Sequence, residues 1–218
     1  MGLFNRRKPP ISVVYTPKST DPALPDQQLT MRNDSEVALR PVLRFVARDT
    51  YGRELPNVEV GTVLGIDRGA LVALPGSSAV DVLHFHGQGA RQVRGVEVHV
   101  DAMEQVDLDG VTHPAEALMV DLEEHATLDP QDFWGVGVVN RNEVPVSIGV
   151  TLVEYEDRVG DAPRQAIDAV TLDGTVDLAS QSHEVVWLPE EVRGRFHAVL
   201  AHVVVPWTGP RDPDPEPL

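Results

Sequence analysis

The pentapeptide Asn33-Asp34-Ser35-Glu36-Val37 returns 107 residues later as Asn140-Arg141-Asn142-Glu143-Val144. Its flanks keep that offset: residues 11–14 (ISVV) match 118–121 (LMVD), and 43–45 (LRF) match 150–152 (VTL). Further on, 74–78 (LPGSS) match 178–182 (LASQS) at an offset of 104, the small change that loop insertions between strands of equal length produce. A long internal repeat constrains a fold more than any local propensity, because the same supersecondary plan must be satisfied twice. The expectation is therefore a duplicated domain, with units at 11–103 and 118–207, a linker at 104–117, and tails at 1–10 and 208–218. Each unit is long enough to bury one modest core.

Within the units the apolar pattern has the period of strands. Residues 11–15 are apolar and β-branched; 16–28 hold three prolines and read as a long loop or bulged edge. Along 39–48, Leu39, Pro41, Leu43 and Phe45 fall on one side and Arg40, Arg44 and Arg48 on the other, the mark of a half-buried antiparallel strand. Further strands are expected at 29–32, 58–65, 80–85 and 93–100. The second unit repeats the plan at 118–122, 134–140, 146–152, 166–171, 182–188 and 195–205. Matching the last of these to the first unit points Val199, Ala201, Val203 and Val205 inward. Leu200 and Val204 are then left outward, where the other domain or a partner would cover them. The one helical candidate, 189–193, is at most a turn long. The predicted class is all-β, two tandem antiparallel β-sandwiches.

The polar turn after Asn33, the alternating strand, Asp49-x-x-Gly52 and Pro75-Gly76-Ser-Ser before a strand resemble bacterial immunoglobulin-like modules, the FxLYF type most nearly. Asn140 and Glu156 stand at the first two positions in the second unit, which has Ala179-Ser180 in place of Pro75-Gly76 and lacks the aromatic signature of that family. The resemblance implies a tandem immunoglobulin-like protein that binds or assembles, with no catalytic residues to carry over.

Charge narrows the partners. Residues 1–103 carry 12 Lys/Arg and 11 Asp/Glu, net +1, whereas 104–218 carry 6 and 23, net −17. The second half repels nucleic acid and anionic lipid. Arg6, Arg7 and Lys8 form a small basic cluster on the first tail, read as solubilising. With no cysteine there is no disulfide frame, and no run reaches the roughly 20 apolar residues of a membrane span. The N-terminal stretch has no signal-peptide core, so a cytoplasmic location is expected.

Candidate chemistry is sparse. His84 and His86 share one face of a strand and could reach one metal, but the glutamate that a cupin-like site needs a few residues on is missing. Asp107, Asp109, Asp121, Glu123 and Glu124 crowd the linker without the spacing of an EF-hand loop. There is no Gly-x-Ser-x-Gly elbow and no Gly-rich phosphate loop. Phe133, Trp134 and Trp187 could stack on a sugar, though aromatics in a small sandwich are more often core. The expectation is a non-enzymatic interaction or assembly protein without a cofactor. Its acidic half would meet a basic protein partner or another copy, and Arg40, Arg44, Arg48, Leu200 and Val204 are the candidate contacts. The alternative is a sandwich that binds a small ligand, a carbohydrate or a metal.

Overall fold

Alternating apolar strands separated by Pro, Gly and Asn turns fold here as antiparallel sheets. The computed structural model describes residues 9–21, 24–157 and 162–204. Arg6, Arg7 and Lys8, Val205, and the acidic tail 208–218 lie outside the described residues. The first half contains β1 (Ile11–Thr16), β2 (Gln28–Asn33), β3 (Ala38–Arg48), β4 (Val58–Thr62), β5 (Ser78–Gly87) and β6 (Gly95–Val106). They form a four-stranded sheet in the order β1-β2-β5-β4 and a two-stranded sheet, β3-β6. Ile11, Leu29, Met31 and Phe85 of the larger sheet meet Leu39, Leu43 and Ala47 of the smaller in one apolar cluster. The alternation read along β3 therefore holds from Leu43 onward, but not at Arg40, which is buried although its place in the pattern put it on the open side.

Two boundaries differ from expectation. β4 stops at Thr62 rather than near 65, because the next backbone N–H groups turn to a buried carboxylate. Leu64 N and Ile66 N donate to Asp81 at 2.8 and 3.4 Å, and a 3-10 turn follows at Ile66–Arg68. β6 runs to Val106, past the end of the expected first unit, because residues 102–106 stay paired to Val42 through Ala38 across a bulge at Asp101.

The second half contains β7 (Glu116–Val120), β8 (Gly135–Asn140), β9 (Val146–Tyr155), β10 (Ala166–Thr171), β11 (Val176–Leu178), β12 (Ser182–Trp187) and β13 (Ala198–Val203). One sheet has the order β12-β8-β7; in the other, β9 pairs with β10, β11 and β13. Val146, Ile148, Val150 and Leu152 of β9 enter a second cluster, with Phe133, Val136, Val138 and Phe196. The two halves differ in one pairing. β4 joins β5, whereas β10, at the matching point of the chain, joins β9.

Asn33 and Asn140 do the same work. Each is buried at the end of a strand. Asn33 Nδ2 donates to Val37 O at 2.7 Å and Ala73 O at 3.0 Å; Asn140 Nδ2 donates to Val144 O at 2.9 Å and Ala179 O at 2.8 Å. Each Oδ1 accepts the backbone N–H two residues on, from Ser35 and from Asn142. One side chain thus closes its own turn and ties it to a distant loop, which explains why the asparagine recurs. Asn142 extends the scheme. Its Oδ1 accepts from Thr112 N and His113 N, both at 2.8 Å, and so pins the connecting segment to the second half.

The halves share a core. Successive side chains of a strand point to opposite faces, and both faces of β9 are covered. The even-numbered residues fill the second cluster, while Val153 and Tyr155 join the first, together with Ala166 and Leu200. Val153 and Leu200 each contribute about 1.5–3 kcal/mol by their burial. No helix among the described residues is long and apolar enough to cross a membrane.

Candidate interaction surfaces

Arg44 and Arg48 lie on the solvent side of β3 while Arg40 is buried, and carboxylates of β6 answer all three. Arg40 meets Glu104 at 3.4 Å, Arg44 meets Asp101 at 3.1 Å, and Arg48 bonds Glu97. Hydrogen bonding to Arg48 holds the Glu97 carboxyl below its ordinary range. Arg40 is only 2% exposed. The row is thus matched by carboxylates of its own sheet, and cross-strand pairing uses its charge within the chain. Leu200 is buried in the shared core, so the first half covers the apolar side chain that the alternation left outward. Val204 is exposed, and its N–H donates to Ser147 O at 2.8 Å.

What β3 leaves open is the other edge of β6. Among the described residues, no backbone group of β6 bonds to anything except β3. β6 has 12 residues and its partner β3 has 11, but the far side of β3 is tied down by bridges from Leu39 to Ala73 and from Arg48 to Glu54; the edge strands β1, β10, β12 and β13 have 6 each and β4 and β7 have 5 each. Edge strands are ordinarily short, or carry lysine or proline, because a long free edge invites another strand. β6 has neither lysine nor proline; its one interruption is the bulge at Asp101. Val100 and Met103 are exposed along it, and Glu97, Asp101 and Glu104 are half open beside them.

His84 and His86 point to the same side of β5, as their spacing requires. Their rings bond to each other, Nδ1 to Nε2, at 2.8 Å. Burial, and then the neighbouring imidazole, hold the His84 pKa below its ordinary value. The His84 ring lies over Gly61, its cross-strand partner, where a Cβ would sit 2.6 Å from the ring. Among the described residues, no three His, Cys, Asp or Glu side chains converge as a metal site. Of the linker acids, Asp121 accepts from Glu123 N and His125 N and shapes a turn. Phe133 is core, Trp134 is covered by the Arg193 guanidinium at 4.0 Å, and Trp187 is 48% exposed, so the three aromatics form no common platform.

The sequence reading missed the polar joint between the halves. Asp26, 1% exposed, accepts from Arg164 N at 3.0 Å and Nε at 3.4 Å. Tyr155 Oη donates to Asp26 O at 2.9 Å, and the Arg164 guanidinium lies 4.8 Å from the centre of the Tyr155 ring. Burial raises the pKa of Tyr155 far above its ordinary value, so it stays a donor. Gln27 adopts a left-handed φ of 59°, unusual for a side chain of this size. Its amide explains the strain: Oε1 accepts from Tyr15 and Nε2 donates to Arg164 O at 3.2 Å. The only local hint was a cluster of polar residues inside a proline-rich loop.

A groove of about 440 Å³ opens on another face of the joint, between the start of β5 and the strands β7 and β13. Its walls include Leu74, Val80, Leu118 and Val203. Comparison of the chain with models of known protein families, with curated proteins and with solved structures finds no match.

Proposed function

We propose that this chain is a non-enzymatic interaction module, built from two immunoglobulin-like sandwiches, that engages a protein partner through the free edge of β6. The observation that carries this reading is the open edge itself, twice as long as the six-residue edge strands and blunted by neither lysine nor proline. An extended segment laid beside it would complete the unmet backbone bonds, the strand-addition mode of recognition. The immunoglobulin-like part of the reading rests on the matched Asn33 and Asn140 networks and on the two-sheet arrangement of each half. The partner is basic. Among the described residues, Glu97, Asp101 and Glu104 each have an arginine on the β3 side and none on the other, so lysines or arginines of an added strand would face them.

The test uses the full chain as bait in its native source. Hydrogen exchange is then measured on the complex with the partner recovered. Amides of residues 96–106 should gain protection, and the double variant Val100→Lys/Met103→Lys should bind at least about tenfold more weakly, the loss expected when charge is placed on an edge contact. Unchanged exchange along β6, or equal binding by the variant, rejects the edge as the contact.

A further inference from the structure

Leu83 and Phe85 of β5 point into the first apolar cluster, so the alternation turns His84 and His86 to the other face. The register of β4 brings a third side chain to that face. Glu59 stands directly opposite His86, as Gly61 stands opposite His84, and side chains opposed in this way start about 4.5–5.5 Å apart at Cβ. This carboxylate arrives from the neighbouring strand rather than from a few residues on, so spacing along the chain hides it. Glu59 is exposed and has no hydrogen bond or ion pair among the described residues. The two histidines are held differently. The His84 ring lies over Gly61, with Nε2 among its atoms nearest that glycine. A hydrogen bond to the Thr62 backbone favours the protonated ring, the effect of a ring N–H donating to a carbonyl. Nδ1 is the nitrogen that faces His86, so Nε2 is the donor and Nδ1 keeps its lone pair. A bond of this kind fixes the tautomer and orientation of a metal-binding imidazole. His86 is exposed, and its ring can turn.

His84 Nδ1 and His86 Nε2 lie 2.8 Å apart. Two imidazoles bound at a right angle to one ion, with bonds of about 2.0 Å, place their nitrogens about 2.8 Å apart, whereas the tetrahedral angle of zinc needs about 3.3 Å. A proton bridges this separation now; an ion takes its place when the His86 ring turns its lone pair toward the same point. The Glu59 carboxylate does not converge on the pair as it stands, but rotation about its exposed side-chain bonds brings an oxygen within reach. A hollow of about 180 Å³ lies before the histidines, walled by Val63 and residues 166–169 of β10. Asp168 lies there too, with its carboxylate taken by Ala169 N and Arg195. We propose that His84 Nδ1, His86 Nε2 and the Glu59 carboxylate bind one divalent late first-row transition ion, Cu²⁺ foremost, with water in the remaining positions. Two imidazoles and a carboxylate suit a tetragonal site, and the affinity of such donors peaks at Cu²⁺. This site is separate from the β6 edge and stands or falls independently of it.

The test is calorimetric titration of the full chain, free of any affinity tag, with Cu²⁺, Zn²⁺ and Mg²⁺, joined to electron paramagnetic resonance of the Cu²⁺ complex. The tightest site should take one Cu²⁺ per chain, bind it at least about tenfold more tightly than Zn²⁺, and leave Mg²⁺ unbound. The spectrum should show coupling to two imidazole nitrogens. His86→Gln changes an exposed side chain and does not depend on repacking. It should weaken Cu²⁺ by at least about tenfold and leave one coupled nitrogen. His84→Phe keeps a ring over Gly61 and should do the same. Glu59→Gln should weaken Cu²⁺ by about tenfold with both nitrogens still coupled. His125→Gln removes another exposed imidazole, beside Asp121 and Glu123, and should change nothing. The proposal is overturned by absence of a one-to-one Cu²⁺ site, by Zn²⁺ bound as tightly as Cu²⁺, or by affinity unchanged in any one of His86→Gln, His84→Phe and Glu59→Gln. Binding lost with His125→Gln instead would mark an adventitious ion only, and equally overturns it.

Discussion

Replacing Leu200 with alanine probes whether the two halves behave as one folded body. Leu200 is 7% exposed and sits in a cluster made mainly of first-half residues, although it belongs to β13 of the second half. Leu→Ala at a buried site removes the transfer free energy of the lost carbons and leaves a cavity, in all about 2–5 kcal/mol. The groove beside β13 lets part of that space relax, so a mid-range loss of about 3 kcal/mol is expected, or about 6–12 °C in Tm for a chain of this size. Urea unfolding can be followed by two probes that see different parts. All three tryptophans, Trp134, Trp187 and Trp207, lie in the second half, whereas far-UV dichroism reports strands of both. For one cooperative unit the two curves coincide and Leu200→Ala moves them together. A variant that shifts the tryptophan curve alone, or that costs less than about 1 kcal/mol, would refute a shared core.

The remaining predictions concern single side chains. Burial pushes the Asp81 carboxyl up from 3.8 to about 6, against the pull of three backbone N–H donors. A native pKa above the unfolded one means that this group's contribution is fully present below about pH 4 and is lost as pH rises through about 6, about 3 kcal/mol in all. Asp81→Asn cannot ionise, so its unfolding free energy should improve relative to the parent by about that amount between pH 4 and pH 7; a pH-independent difference contradicts this. Asn33→Ala and Asn140→Ala each strip the donor from two carbonyls, one of them buried with the amide in the first network. Each should lower stability by about 2–4 kcal/mol in thermal unfolding, and a large effect at one site with none at the other would break the parallel. Arg44→Glu reverses an exposed pair and should change stability by less than about 1 kcal/mol, with a larger loss showing that the ladder stiffens the sheet.

What the sequence disclosed follows from where each signal resides. The repeat located Asn33 and Asn140 because a turn closed by its own side chain is written in consecutive residues. Alternation gave β3 and its two faces for the same reason, and it marked Leu200 as one apolar residue too many for an open face. The covering partner was less legible, since it depends on which sheet β10 joins. Nothing local distinguishes pairing with β9 from the pairing of β4 with β5; the position of Ala166 in the shared core goes with the choice. The end of β6 was hidden because residues 101–106 lack strand alternation and are held by their partner β3. The joint of Asp26 and Arg164 spans 138 positions, a contact that no window along the chain can reveal. Arg40, Arg44 and Arg48 were visible as a row, while the carboxylates that meet them came into view only with the register of β6.

The most direct test of the interaction reading does not require the natural partner. A library of random peptides about twelve residues long, matched to the length of β6, is selected against the full chain, and the enriched peptides are mapped by hydrogen exchange. If the β6 edge is the contact, the winners alternate apolar with basic residues. They should protect amides within residues 96–106 and lose binding to Val100→Lys/Met103→Lys. Winners that lack the alternation, leave β6 exchanging as before and bind the double variant equally well would contradict the claim that this edge is where the chain does its work.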